Sequence, residues 1–82
     1  MKPIERYPLA IVRWVDSAYT RGESATGDLP AEGLEMISAG FLVRETPDAI
    51  TLALDRHLHD DAWRFVLTIP RASVRNVKKV RR

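Results

Sequence analysis

The chain has no cysteine. That excludes disulfide staples and thiolate zinc cages, two usual supports for so short a fold, and it suits a reducing compartment. Long apolar runs are missing as well: none approaches the ~20 residues of a membrane-spanning helix. The opening MKPIERYPLA lacks the apolar centre of a signal peptide, because Pro3, Glu5, Arg6 and Pro8 interrupt it. A soluble, cytoplasmic protein with no membrane partner is expected. Walker and dinucleotide fingerprints are absent, since Gly22, Gly27 and Gly33 have the wrong spacing.

Acids are missing from one end. From Arg71 onward there are six bases, Arg71, Arg75, Lys78, Lys79, Arg81 and Arg82, and no acid. The first 70 residues hold the other seven bases and all 11 acids, so a net +2 chain divides into a mildly acidic body and a strongly basic end. Such asymmetry points to a polyanionic partner. With 82 residues the chain is one small domain, with a core over 8–78 and a basic tail over 79–82. A domain this size buries a modest share of its surface and gains from association.

What is present is β-patterned. Leu9–Ala18 is rich in β-branched residues and Trp14, and both of its faces are mostly apolar, so both should be partly covered. Residues 20–33 hold three of the four glycines and read as a long loop, with room for one helical turn after Asp28. In Leu34–Glu45, Ile37, Ala39, Phe41 and Val43 alternate with Ser38, Gly40, Leu42 and Arg44. Thr46-Pro47-Asp48-Ala49 is a turn, with Asp48 expected to close onto its own backbone, and Ile50, Leu52 and Leu54 resume the alternation. The two segments form a hairpin.

Trp63, Phe65, Leu67 and Ile69 alternate with Arg64, Val66 and Thr68, which suggests a core strand ended by Pro70. After a tight turn at 71–73, Val74, Val77 and Val80 recur at spacing three; their β-branching favours a twisted final strand over a helix. Five short strands in this order suit a mainly β fold, a small closed or nearly closed barrel without free edges.

Three blocks carry a resemblance: Val12-Arg13-Trp14-Val15-Asp16-Ser17, Ser38-Ala39-Gly40-Phe41-Leu42-Val43, and the stretch from Ile69-Pro70-Arg71 to Val77. They resemble short uncharacterised proteins of bacterial and phage genomes, whose layout is similar to the Sm-like and SH3-like small barrels. The resemblance implies a five-stranded, strongly bent barrel, a phage or prophage origin, and a homo-oligomer assembled through edge strands. It does not carry the RNA-binding site. Ile69-Pro70-Arg71 stands where Sm-like proteins have an Ile-Arg-Gly turn, and Thr46–Ala49 is too short for their first motif.

Candidate chemistry is sparse. His57 and His59, with Asp55, Asp60 and Asp61, form the one ligand-like cluster, and residues two apart on a strand face one side. A metal-dependent enzyme built there competes with a plain solvated hairpin end rich in Asp. Asp16-Ser17 reads as a turn rather than part of a hydrolytic triad, because no nucleophile elbow flanks the serine. Trp14, Phe41, Trp63 and Phe65 are read as core bulk ahead of base-stacking platforms. Arg71, Arg75, Lys78, Lys79, Arg81 and Arg82 would give backbone-driven, salt-sensitive nucleic-acid binding, or would simply solubilise one end. The leading expectation is a non-enzymatic module, without cofactor, that works by self-association or by binding a protein partner. An Sm-like nucleic-acid-binding protein using the basic tail is the second expectation.

Overall fold

The computed structural model describes residues 7–17 and 33–80. Five strands form one antiparallel sheet: β1 (Leu9–Asp16), β2 (Leu34–Glu45), β3 (Ala49–Arg56), β4 (Trp63–Pro70) and β5 (Val74–Val80). A single 3-10 turn, Arg71–Ser73, joins β4 to β5. The order across the sheet is β4-β3-β2-β1-β5, so β1 lies between β2 and β5. Of the expected loop over 20–33, all but Gly33 lies outside the described residues, as does the turn after Asp28. No helix among the described residues is long and apolar enough to cross a membrane.

The mainly β architecture and its strands follow the sequence pattern. The closed barrel does not. β4 and β5 end the sheet as separate edges, and no ladder joins them.

The core gathers on one side of β1. Ala10, Val12 and Trp14 are buried there, with Leu42, Ile50, Leu52 and Ile69, and Val74 and Val77 pack against them. The opposite side of β1 is less covered than its apolar sequence suggests, since Ile11 and Arg13 are exposed. Pairing with β1 decides which residues of β2 face the core. Ala10 lies opposite Gly40, Val12 opposite Ser38 and Trp14 opposite Met36. The side holding Ile37 and Ala39 therefore faces away, and Ile37 is 69% exposed. Two polar or small residues occupy the core side for physical reasons. Ser38 Oγ accepts a 3.0 Å hydrogen bond from Trp14 Nε1, which satisfies the indole N–H as its ring is buried. A Cβ at Gly40 would lie 2.6 Å from the Ala53 carbonyl oxygen, so only glycine admits β3 this closely.

Two irregularities reconcile alternation with the core. The β2–β3 register shifts between Leu42 and Arg44, and the β1–β5 register shifts between Arg13 and Trp14. In the second, Val77 faces Val12, and Val74 faces Trp14 although it is three residues away. Arg75 is the extra residue, so Val74 and Val77 share the core side while Val80, opposite Leu9, takes the other. The valine spacing of three is thus the mark of a bulged strand.

β4 departs furthest from expectation. Ile69 is fully buried, but Phe65 is 65% exposed and Leu67 stands at the surface. β4 is an edge, and without barrel closure its middle residues, Phe65 to Leu67, stand open to solvent. Phe65 also has φ of 55°, a left-handed conformation that costs a non-glycine residue on the order of 1 kcal/mol. At the hairpin turn, Thr46 rather than Asp48 supplies the side-chain closure. Its hydroxyl accepts from the Asp48 and Ala49 N–H groups at 3.2 and 3.0 Å.

Two substitutions test this packing by urea denaturation. Ile50→Ala should cost about 2–5 kcal/mol, the usual range for deleting a buried aliphatic side chain. Gly40→Ala should cost roughly 1–3 kcal/mol, because the new methyl meets backbone that cannot rotate away.

Candidate interaction surface

Four of the six basic residues lie among the described residues, on the 3-10 turn and β5. Two of them serve the fold. Arg71 Nη2 donates to Glu45 Oε2 at 3.2 Å, and its Nε donates to the Thr46 carbonyl at 3.0 Å. Its backbone N–H reaches the Asp48 carbonyl at 2.8 Å, which fastens the turn after β4 onto the β2–β3 turn. Lys79 Nζ lies 3.1 Å from Glu45 Oε1, so one carboxylate holds both cations. The Lys79 and Arg71 hydrogen bonds draw the Glu45 carboxyl below its ordinary value, against a smaller opposing effect of burial. Arg75 Nη1 donates to the Ala72 carbonyl at 3.2 Å, and Lys78 is exposed. Arg81 and Arg82 lie outside the described residues. The basic end is therefore partly a clamp, with Arg75 and Lys78 exposed on β5, an edge strand among the described residues.

The histidines sit in the exposed segment between β3 and β4, their rings 6.1 Å apart. His57 Nδ1 accepts the backbone N–H groups of His59 and Asp60 at 3.3 and 3.2 Å. The same nitrogen lies 3.6 Å from Asp60 Oδ2. Asp55 lies 3.6 Å from Arg64, and Asp61 2.6 Å from Arg56. Among the described residues no three His, Asp or Glu side chains are placed to share a metal ion. Asp16 Oδ1 accepts the Ser17 N–H at 2.8 Å, the local turn contact that the sequence suggests.

The surface that the sequence conceals is apolar. Leu54, Phe65, Val66 and Leu67 are exposed on β3 and β4, and Leu58 follows in the connecting segment. A shallow cleft of about 230 Å³ lies among Ser38, Leu52, Leu54, Phe65 and Leu67. Pro70 is the one signal that could have pointed here, since proline within a strand favours an edge position. Trp63 is half-buried, with Tyr7 and Phe41 ring centroids 4.9 and 5.4 Å from its own. Comparison with protein-family models, curated proteins and solved structures finds no match.

The Glu45 clamp has a pH signature. A carboxyl whose folded value lies below its unfolded one contributes stability at pH above the ordinary glutamate value of 4.5. That contribution disappears as the pH falls through the lowered folded value. Glu45→Gln should therefore destabilise the protein at pH 7 and converge on the unmodified chain under acid, as followed by thermal unfolding from pH 7 to 3. A constant gap across that range would rule the clamp out.

Proposed function

We propose that this protein is a non-enzymatic interaction module that self-associates by setting the β4 edge of one copy against the β5 edge of another. The observation that carries it is the exposure of Phe65, Val66 and Leu67 on a strand whose outer edge is unpaired among the described residues. Free edges are templates for further pairing, and contiguous exposed apolar surface on a small domain marks an interface.

Charge disfavours one alternative to this pairing. Set antiparallel, the start of β4 meets the end of the other copy's β5. With Trp63 opposite Val80, the apolar Phe65, Val66 and Leu67 lie opposite Lys78, Val77 and Asn76 of the other copy. Pairing β5 with β5 would set cation against cation. The strand order, with a 3-10 turn leading into an edge-lying β5, supports an Sm-like or SH3-like arrangement left open as a single sheet. Self-association would cover the apolar half of β4 and so complete a core that one chain leaves partial.

Light scattering at micromolar concentration tests the reading, with a defined oligomer expected and a strict monomer counting against it. Phe65→Lys alone should set two cations opposite each other and shift the protein toward monomer, and adding Lys78→Glu should restore the assembly. Failure of the double variant to recover would sink this register. Affinity for RNA that falls steeply with salt and vanishes on truncation after Val77 would instead assign the basic edge to phosphate.

A further inference from the structure

Arg56 ends β3 in an arrangement that the self-association reading does not use. Its side chain is only 2% exposed, and its Nη1 donates to Asp61 Oδ1 at 2.6 Å. The guanidinium carbon lies 4.8 Å from the Trp63 ring centroid and 5.9 Å from that of Tyr7. Nε and Nη2 are both buried and have no hydrogen-bond partner among the described residues. These two nitrogens form one complete side of the guanidinium fork, the side that matches two oxygens of a carboxylate or phosphate.

Native folds rarely leave buried donors unpaired, and here an entire bidentate edge of a cation is unpaired. Aromatic rings answer the charge over its face but supply no acceptor in its plane. The adjoining cleft, about 430 Å³, is lined by Arg56 with His57, His59 and Arg64 among its polar groups and Phe41 and Leu58 among its apolar ones. Asp55 also lines it and is taken up by Arg64 at 3.6 Å.

We infer that Arg56 anchors a site for an oxyanion that presents two oxygens on one side, a carboxylate or a phosphate, received by the Nε–Nη2 edge. The anion approaches the Nε–Nη2 edge from this cleft, while Nη1 stays on Asp61 and the Trp63 and Tyr7 rings hold the guanidinium in place. The site would bind a small anion or the acidic group of a larger ligand by the same contacts.

The experiment uses the full chain in chloride at constant ionic strength, titrated separately with acetate and with inorganic phosphate. The Nε–H resonance of Arg56 should move saturably with at least one of them, and the melting temperature should rise in parallel. A response to acetate alone assigns a carboxylate ligand, and one to phosphate alone a phosphoryl ligand. Arg56→Lys keeps the charge but lacks the fork, so it should lose the stabilisation. An equal rise in melting temperature in Arg56→Lys overturns the proposal. So does an Arg56 resonance unmoved by both anions in the unmodified chain, a readout that stands even if the lysine variant does not fold. Neither measurement depends on oligomeric state, so the site and the self-association reading fail separately.

Discussion

Strand β1 carries hydrogen-bond ladders on both of its edges, to β2 on one side and β5 on the other, and the rest of the sheet takes its bearings from that position. A strand's side chains alternate strictly, so once Ala10, Val12 and Trp14 are buried, their cross-strand partners must share the same side. This constraint explains why Met36, Ser38 and Gly40, rather than the more apolar Ile37 and Ala39, lie on the core side of β2. The neighbours of β1 accommodate it through a hydroxyl that meets an indole N–H and a glycine that admits a carbonyl. Local hydrophobic pattern yields to a partner strand whose own burial is already complete.

Bulges supply the remaining adjustment. One extra residue changes which side every later residue takes, and the two in this sheet are used differently. Around Arg75 the effect is to bring Val74 and Val77 onto the same side over Val12 and Trp14. Around Val43 it sets Glu45 on the same side as Leu42, three residues earlier, where it reaches the basic residues Arg71 and Lys79. Packing and electrostatics are thereby joined at one corner, where the β2–β3 turn, the 3-10 turn and the end of β5 share a carboxylate.

The strands and the 46–49 hairpin were legible in the sequence because alternation, β-branching and turn residues act over a few positions. The clamp was not, since Arg71 and Lys79 are remote from Glu45 along the chain and nothing local marks them as partners. β4 misled for a related reason: its alternation of Trp63, Phe65, Leu67 and Ile69 is that of a core strand, yet burial depends on what lies opposite. Ile69 finds the core beside Ile50, whereas Phe65 lies beyond its reach. Arg56 was invisible in the same way, its surroundings being assembled from Tyr7, Trp63 and Asp61 only on folding. The basic end was legible as composition, but its division between clamp and outward-facing groups was not.

The ladder between β1 and β5 joins residues as far apart as Leu9 and Val80, while every other ladder links strands consecutive in the chain. Its consequence is kinetic. Pairings between remote residues need a long loop to close before any contact rewards it, and topologies rich in them fold slowly. The β2–β3–β4 meander needs no such closure and can assemble first. Until β5 arrives, β1 lacks one of its two ladders, and Val74 and Val77 do not yet shield Val12 and Trp14. Docking of the last strand thus carries the largest loop-closure cost in the sheet.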